Sequence, residues 1–520
     1  MKLVKSLILG SAAALVAVGG AQAADLPVKA KAVEYVKVCS LYGPGFYYIP
    51  GTDTCIKLGG YLRMDMVVNA NSVAGPNYNG PGGANNRFTN GYTWRSREDL
   101  NIDTRTATEY GVVRTYFDAV FTWTTDNYAV NGAAPGSTIY SALGGGGTVA
   151  PASAPNNAGA GNGSYGTVGV YFAFIQFAGF TMGKAISQFS APWTNYPGNN
   201  FDGLVGGGGT VTGVNQFTYT AQFGNGVSLA LSAQDQTQYF QAGVNNLSAG
   251  GAYGASDYAG TISPDFVAAL KIDQAWGVFQ ASVAAHDNHA AYYGSTELTG
   301  HPDDKWGWAG QLALSIKNIP TGPGDTINVQ GVYTDGATRY NIQDLASQAG
   351  AIAIYSGSSL PGAYGSVGFG TAPDTVFVAG GQQQTVKTWG MRGAYTHNWD
   401  PYWNTSIYGA YAGIMYNDTA KTLICGVGGA VGGTFRAAFA GGAGVTNCNP
   451  DYNIGQIGII TRWTPVKNLT FSADVTYTML DQKYAGTITT SAGAIGKPSA
   501  TYQLKDQDTV MLLLRAQRNW

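Results

Sequence analysis

The sequence predicts an all-β protein, a transmembrane antiparallel β-barrel of about 16 strands. Three observations predict this fold. Short segments in which apolar and polar residues alternate recur along the chain, as in strands that have one apolar and one polar face. Short and long connections alternate between these segments, as expected for short periplasmic turns and long external loops. The first and last segments can pair with each other, which would close the sheet.

The last stretch of the chain, residues 508–520, predicts a strand that needs a partner. Val510, Leu514 and Trp520 share one parity, whereas Arg515 and Gln517 lie on the other parity together with Met511 and Leu513. A strand that ends on an apolar row leaves its backbone donors and acceptors unpaired unless another strand covers them. Residues 57–68 alternate in the same way. Pairing of these two segments would close a barrel, the form of sheet that is stable in a bilayer.

Sixteen segments fit the strand pattern: 57–68, 92–104, 109–124, 166–178, 180–188, 213–223, 226–237, 264–274, 276–287, 305–317, 325–335, 386–397, 402–415, 454–464, 468–480 and 508–520. Short connections are expected near Thr106-Ala107, Ala178-Gly179, Gly224-Asn225, Ala275, Asn318 to Gly324, Trp399-Asp400-Pro401 and Pro465-Val466-Lys467. Most contain turn-forming residues. The long connections lie at about 69–91, 125–165, 189–212, 238–263, 288–304, 336–385, 416–453 and 481–507, and they are rich in glycine, serine and asparagine.

Composition agrees with a barrel. Among the 520 residues there are 75 glycines and 33 tyrosines, and only 11% of residues are charged. The mean hydropathy is −0.05, as expected when apolar and polar residues alternate. The formal net charge of −2 is too small to suggest nucleic acid as a partner. After the leader, the sequence has no apolar run of the roughly 18 residues that a membrane-spanning helix needs.

The amino terminus has the pattern of a secretory signal peptide. Lys2 and Lys5 precede an apolar run, and Ala21-Gln22-Ala23 supplies a small-residue cleavage site. The mature chain is therefore expected to begin at Ala24, after export to the periplasm or the outer membrane. The expected organisation is a signal peptide at 1–23, a periplasmic lead-in at 24–56 and a barrel at 57–520.

The four cysteines form two local pairs in the sequence, Cys39 with Cys55 and Cys425 with Cys448. Four thiols allow three connectivities, and the sequence alone does not choose among them. The predicted topology places the first pair on the periplasmic side and the second in an external loop, so a bilayer would separate them. Local bridges are then expected, because an exported chain can keep them oxidised. Free or partly reduced cysteines are the alternative.

Both ends of the chain resemble a known family. The matching segments are Ala24-Asp25-Leu26-Pro27, Tyr35-Val36-Lys37-Val38-Cys39, Gly45-Phe46-Tyr47-Tyr48-Ile49-Pro50-Gly51-Thr52-Asp53-Thr54-Cys55-Ile56-Lys57-Leu58-Gly59-Gly60-Tyr61, Cys448-Asn449-Pro450-Asp451-Tyr452 and Arg515-Ala516-Gln517-Arg518-Asn519-Trp520. They resemble the alphaproteobacterial porins. The resemblance implies a trimeric, sixteen-stranded general-diffusion porin whose third external loop folds inward and narrows each pore.

In this chain the inward loop would be residues 189–212. Its candidate constriction residues are Trp193, Asn195, Tyr196, Asn199, Asn200 and Asp202. Asp202 is the only carboxylate among them, so the loop would contribute little negative charge. We therefore expect modest ion selectivity, and the loop sequence does not give its sign.

The polar parity of the first three strands carries charges that would face the lumen. A barrel of sixteen strands is too wide for side chains to fill and encloses an aqueous channel. The candidate pore-wall charges are Arg63, Asp65, Arg95, Arg97, Asp99, Arg114 and Asp118. A row of arginines on one wall would set a transverse field in a narrow passage. The alternative is that Asp65, Asp99 and Asp118 pair with neighbouring arginines and merely keep the wall hydrated.

No cofactor, metal or catalytic group is expected. The segments 286–289 and 301–304 bring histidine and aspartate into one external loop, where a metal site is conceivable but a solvated loop is favoured. The cysteines lack the spacing of zinc sites, and the glycine runs lack the lysine of a phosphate-binding loop. The histidines are expected to avoid inward positions, which argues against a catalytic group.

Together these observations predict a passive channel, not an enzyme. It would let small hydrophilic solutes and ions diffuse across the outer membrane of a Gram-negative cell. Its expected partners are outer-membrane lipid, two further copies in a homotrimer and the solutes. Three alternatives remain open: a substrate-selective channel with an aromatic sugar slide, an outer-membrane barrel enzyme, and a soluble secreted β-sandwich.

Overall fold

The computed structural model describes residues 37–68, 92–124, 167–193, 204–208, 213–235, 241–249, 252–342, 353–355, 365–425, 435–439, 444–490 and 500–520. Sixteen of its strands form a closed antiparallel barrel. They are β1 Cys55–Val68, β2 Tyr92–Thr108, β3 Gly111–Thr124, β4 Thr167–Phe177, β5 Phe180–Ile186, β6 Gly213–Gly224, β7 Val227–Gln234, β8 Asp265–Gln274, β9 Gly277–Asn288, β10 Lys305–Lys317, β11 Thr326–Asp335, β12 Gln384–Asn398, β13 Trp403–Tyr416, β14 Tyr452–Val466, β15 Leu469–Gln482 and β16 Gln507–Asn519. All sixteen predicted strands are present.

The barrel closes between its first and last strands, as predicted. β1 pairs with β16 from Tyr61 opposite Asn519 to Val68 opposite Leu512. The backbone N–H of Trp520 also donates to the carbonyl of Gly60 at 3.1 Å. No edge of the sheet is left open at this seam, which is what hydrocarbon surroundings require of a sheet.

The apolar face of each strand points away from the barrel axis. In β10, Leu312 is 60% exposed, whereas the adjacent Gln311 is 4% exposed and lies inside. In β9, Val283 is 58% exposed and Ser282 is 2% exposed. Because the side-chain period of a strand is two, the same alternation continues around the barrel. The polar side chains therefore face the lumen.

The short connections lie at one end of the barrel, and the one between β2 and β3 lies furthest from its predicted position. The turn between β2 and β3 is at Glu109 and Tyr110, not at Thr106-Ala107. The Thr108 hydroxyl donates to the carbonyl of Gly111 at 2.7 Å, and Gly111 has φ +117°, so the hydrogen bonds that define the turn form here. The predicted turn at Ala178-Gly179 is correct, with φ +49° and +86°.

The long external connections carry further structure. Short strands Val244–Asn246, Ala255–Ser256 and Thr375–Phe377 extend the barrel sheet at its outer end. A separate sheet orders Ala353–Tyr355, Ser366–Gly370, Thr501–Leu504, Ala485–Thr489 and Val445–Asn447. Two helices, α1 Asp418–Cys425 and α2 Phe435–Ala438, complete this region. Buried aromatic side chains join it, among them Phe435 and Tyr484, whose ring centroids are 4.1 Å apart.

Both predicted disulfides are present. Cys39–Cys55 has a Cα–Cα distance of 6.1 Å and Cys425–Cys448 one of 5.8 Å. Cys55 begins β1, in register with Arg105 near the short-turn end, whereas the second bridge lies in the connection between β13 and β14. The two bridges therefore lie at opposite ends of the barrel. None of the helices in the described part of the chain is long and apolar enough to cross a membrane.

Candidate pore constriction

The seven predicted wall charges lie on the lumen face of β1, β2 and β3. Register places Arg63 opposite Arg97 and Asp65 opposite Arg95 on neighbouring strands. Asp118 lies opposite Asn101 on the next pair. Directly opposed residues of antiparallel strands point to the same face, so the register alone gathers these charges on one wall.

Asp65 is the centre of this wall. Its side chain is fully buried, and Arg95 approaches it with Nη2 at 2.6 Å from Oδ2. Arg515 on β16 donates from Nε to the other carboxylate oxygen, Oδ1, also at 2.6 Å. One carboxylate thus binds two guanidinium groups across the closure of the barrel, so the group keeps a net positive charge.

Within the part of the chain that the structure describes, neither Arg63 nor Arg97 contacts a carboxylate, and each is positioned by neutral groups. Arg63 donates from Nε to Gln517 at 2.8 Å and lies 4.2 Å from the ring centroid of Tyr61. Arg97 donates from Nε to the Thr122 hydroxyl at 3.0 Å. Neutral partners fix the direction of a guanidinium group but leave its charge uncompensated. These two arginines therefore add positive charge to the lumen beside Asp65.

Arg114 and Asp118 do not pair with each other. Arg114 instead donates from Nη2 to Asp103 at 3.0 Å, and the same carboxylate binds Arg105 at 3.0 Å. Asp118 instead accepts from the Tyr116 hydroxyl at 3.5 Å. In the alternative interpretation, Asp65, Asp99 and Asp118 each pair with a neighbouring wall arginine. Among the seven predicted wall charges, the structure shows such a pair only between Arg95 and Asp65.

The first part of the third long connection folds into the barrel, as the resemblance implied. Phe189 is fully buried, and its carbonyl accepts from Gln311 Nε2 at 2.7 Å. Gln280 Nε2 on β9 donates to the carbonyl of Ser190 at 2.8 Å. Because Gln280 and Gln311 point into the lumen, this segment lies against the inner wall of β9 and β10.

The later part of the same connection, residues 204–208, contacts the inner wall further around the barrel. Arg392 on β12 donates from Nη2 to the carbonyl of Gly208 at 2.7 Å. Gln456 on β14 accepts from the N–H of Val205 at 3.1 Å. Gly207 has φ +114°, and a Cβ there would lie 2.2 Å from Gln330 Nε2. The glycine run of this loop is thus required for its close approach to the wall.

The arginine wall and the inward loop occupy different sides of the lumen. The charges lie on β1 to β3 and β16, whereas the loop contacts β9, β10, β12 and β14. Trp193 is described and partly buried. The remaining constriction candidates, Asn195, Tyr196, Asn199, Asn200 and Asp202, lie outside the described residues.

Sequence reasoning missed part of the charged wall. Arg515 lies on the polar parity of β16, and its role depended on the exact pairing of β1 with β16. Arg462 on β14 donates to Asn404 at 3.4 Å. Asp474 on β15 accepts from the Tyr408 hydroxyl at 2.7 Å. Each of these residues has the parity of the lumen face, so periodicity was the available signal.

The expectation that histidines avoid inward positions was wrong for His286. His286 lies within β9 on the lumen parity of that strand, as it already did in the predicted strand 276–287. Its Nδ1 lies 2.9 Å from Asp265 Oδ1, and its Nε2 lies 3.4 Å from Asp374 Oδ2. The imidazole is fully buried in these contacts. Within the described ranges, no group of three or more His, Cys, Asp or Glu side chains could hold a metal ion.

The chain is similar to known porins. Porin Omp2b from Brucella suis biovar 1 (strain 1330) is 34% identical over 289 residues, which cover 55% of this chain and 66% of that relative, slightly less than two thirds of its length. Porin Omp2b from Brucella canis matches with the same identity and coverage. The outer membrane channel DcaP of Acinetobacter baumannii has a similar fold, with a TM-score of 0.54, 14% identity, and coverage of 91% of this chain and 99% of that one. The sequence profile of the Porin subfamily matches residues 25–513, and the chain therefore belongs to the Porin subfamily.

Proposed function

We propose that this protein is a passive diffusion channel for small hydrophilic solutes and ions in the outer membrane of a Gram-negative cell. The observation that supports it best is a closed barrel with an apolar outside, in which one external loop lies against β9 to β14 while a charged wall of β1 to β3 and β16 faces it. Such a barrel encloses water and restricts it at one level. Transport then needs neither covalent chemistry nor energy coupling.

Conductance of the purified protein in planar lipid bilayers tests the channel. Discrete steps with a linear current–voltage relation are expected, because a preformed aqueous passage conducts in proportion to the driving force. The heat-denatured protein is the control. Absence of steps from correctly folded protein would contradict the proposal.

Selectivity would arise from the wall around Asp65. Arg95 and Arg515 share that one carboxylate, and Arg63 and Arg97 contact neutral partners. The resulting excess of positive charge supports a modest preference for anions. Replacing Arg63, Arg95 and Arg97 together by glutamine should shift the reversal potential toward cations. An unchanged reversal potential would favour the alternative in which these arginines only hydrate the wall.

A substrate-selective channel is the second candidate, because aromatic rings also face the lumen. The rings of Tyr116 on β3 and Phe174 on β4 stack with centroids 5.4 Å apart, and Phe172 lies beside them with its centroid 6.3 Å from that of Tyr116. The Arg114 guanidinium lies 5.1 Å from the Tyr116 centroid. Flat apolar faces next to charged groups suit sugars. Saturable block of conductance by sugars would favour this candidate over general diffusion.

Assembly and processing are part of the same proposal. We expect a homotrimer in lipid, a signal peptide at 1–23 that is removed before Ala24, a periplasmic lead-in at 24–56 and a barrel from 57 onward. The observed β1 begins at Cys55, close to that boundary. Native gels of the detergent-extracted protein test the trimer, and sequencing of the mature amino terminus tests the cleavage site.

The proposed channel carries no enzymatic activity. The His286 imidazole, the one placed between two carboxylates, is fully buried and does not reach a passing solute. A hydrolase assay with ester and peptide substrates on the purified protein tests this statement, and turnover that purifies together with the channel would contradict it.

A further inference from the structure

His286 belongs to a buried group of three ionisable side chains on the lumen face of the wall. β8 begins at Asp265, and it pairs with β9 from Phe266 opposite Ala285, so Asp265 and His286 meet one step further along the same two strands. His286 Nδ1 is 2.9 Å from Asp265 Oδ1, and its Nε2 is 3.4 Å from Asp374 Oδ2. All three side chains are fully buried. Because a buried ionised group is costly unless it is paired, each of the three depends on the others.

The two carboxylates of this group bind one short turn of the sixth long connection. The Tyr340 hydroxyl donates to Asp265 Oδ2 at 2.5 Å. The backbone N–H of Thr338 donates to Asp374 Oδ1 at 2.6 Å, and the Thr338 hydroxyl donates to the same oxygen at 3.1 Å. Thr338–Tyr340 form a single 3-10 turn, and we call residues 338–341 the anchor turn. His286 thus joins the two carboxylates that hold the anchor turn.

The anchor turn contacts both described parts of the inward loop. The rings of Tyr340 and Phe189 meet edge to face, with centroids 4.6 Å apart, inside a buried apolar cluster. The Asn341 carbonyl accepts from the backbone N–H groups of Gly206 at 3.1 Å and Gly207 at 3.0 Å. Phe189 belongs to the first part of the loop, and the two glycines belong to its later part. One turn of four residues therefore holds the loop on both sides.

The barrel wall depends on these side chains less than the loop does. β8 and β9 pair through nine residue pairs, from Phe266 opposite Ala285 to Gln274 opposite Gly277, so backbone hydrogen bonds hold the two strands together. The anchor turn lies about 50 residues further along the chain, and its position against these strands is set by side chains. Loss of the imidazole is therefore expected to displace the turn and the loop and to leave the strands paired.

We propose that His286, held between Asp265 and Asp374, is a positioning residue for the pore constriction, because it fixes the anchor turn that holds both parts of the inward loop. The proposal rests on the diffusion channel proposed above and names the side chains that set its narrowest part. His286 does not touch a passing solute, and it acts through Tyr340 and Asn341 on the loop that does.

Single-channel recording of His286→Asn tests this role. Asparagine removes the cationic group between the two carboxylates, so the loop should leave its position and the open-channel current should change in size and become noisier. The matched control is His397→Asn. His397 also contacts a buried carboxylate, with Nδ1 2.7 Å from Asp325 Oδ2, but it lies beside a short turn at the other end of the barrel. The control should lose stability without a change in current.

Thiol labelling measures the loop position without relying on conductance. Val205, in the later part of the loop, is 1% exposed, and the native cysteines in the described residues are all in disulfides. A Val205→Cys background therefore carries one protected thiol. Adding His286→Asn should raise the rate of reaction with a water-soluble charged maleimide by about tenfold or more, because local opening exposes the thiol. Adding His397→Asn should leave the rate unchanged.

A third comparison tests the contact between His286 and Asp374. Asp374→Asn should raise the labelling rate as His286→Asn does, and the variant with both changes should react no faster than the faster single variant. A rate increase equal to the product of the two single increases would mean that the residues act independently, and it would contradict the contact.

The outcomes separate this proposal from the channel itself. The heat-dependent shift on denaturing gels reports whether each barrel has folded. If folded His286→Asn keeps the parent current and the parent labelling rate, the positioning role is wrong, although the channel remains. If the folded parent gives no conductance steps, the proposed function is wrong, and the labelling rates still decide whether His286 positions the loop.

Discussion

At Asp65 a single carboxylate joins three strands, because Arg95 on β2 and Arg515 on β16 both bind it. The sequence predicted Asp65 and Arg95 as wall charges from parity alone. It did not predict Arg515 as their partner, because that contact depends on the register between the first and last strands. Periodicity assigns a face to each residue, whereas a partner on another strand requires the pairing itself.

Replacing Asp65 by asparagine should change both stability and selectivity. The variant leaves two buried guanidinium groups without their carboxylate, and breaking a buried pair in this way costs about 3 kcal/mol. It also adds one positive charge to the wall, so the reversal potential should move toward anions. Arg97→Gln is the control, because Arg97 binds a hydroxyl: it should move the reversal potential toward cations with little loss of stability. Urea unfolding in lipid vesicles and bilayer recordings measure the two effects, and a D65N variant as stable as the parent would contradict the account.

Asp325, in the turn before β11, should make stability depend on pH. Burial by itself raises the pKa of this carboxyl, but hydrogen bonds from Thr321, the Asn398 N–H and His397 outweigh it and lower the pKa below its usual range. A carboxyl whose pKa is lowered by folding stabilises the protein above its unfolded pKa of about 3.9. That contribution is lost as the pH falls toward the lower folded value.

The variant Asp325→Asn should therefore be less stable than the parent at pH 7, and the difference should shrink as the pH decreases below about 4. Urea unfolding at a series of pH values measures this. Asp400→Asn, in another short turn, is a matched control, since Asp400 accepts two backbone N–H groups but lies in an exposed setting. If the difference in free energy of unfolding between Asp325→Asn and the parent did not change with pH, the hydrogen bonds of Asp325 would stabilise the protein without depending on its negative charge.

At the scale of elements, the strands were predictable and the loops were not. The strands follow from the alternation of apolar and polar residues. The position of the β2–β3 turn was missed because the residues before Gly111 continue the strand pattern up to Thr108. His286 was assigned to the external loop although the predicted strand 276–287 contains it, so its parity already indicated the lumen face. The path of the inward loop came from family resemblance, because its contacts with β9 to β14 join residues far apart in the sequence.

The contact between the inward loop and the inner wall of the barrel can be tested at Gly207. A Cβ at this position would lie 2.2 Å from Gln330 Nε2 on the wall, at a φ of +114° that side chains rarely adopt. Gly207→Ala should therefore displace the loop from the wall and change the single-channel conductance. Gly224→Ala is the control: Gly224 also has a positive φ, +83°, but no atom lies within 4 Å of its Cβ position. Equal conductance in both variants would mean that the loop does not define the narrowest part of the pore.

At the scale of the whole molecule, closure and orientation were predicted because they depend on sums over many residues. Sixteen alternating segments and the even count of strands require first and last strands to meet, and one misplaced turn does not change that result. The contents of the external region were not predictable in the same way. Its small sheet and its buried rings, such as Phe435 against Tyr484, combine several loops whose residues show no periodicity.

The orientation of the barrel wall can be tested by exchanging two adjacent residues of β16. Leu514 is outward and 42% exposed, whereas Arg515 is inward and bound to Asp65. The exchange Leu514→Arg with Arg515→Leu keeps composition and charge but turns the arginine toward lipid. An arginine that faces the middle of the bilayer costs about 2–4 kcal/mol. The single variant Arg515→Leu measures the loss of the Asp65 contact alone, so the exchange should be less stable than that control by this amount in urea unfolding from lipid vesicles. If the two variants were equally stable, the face that carries Leu514 would not contact lipid.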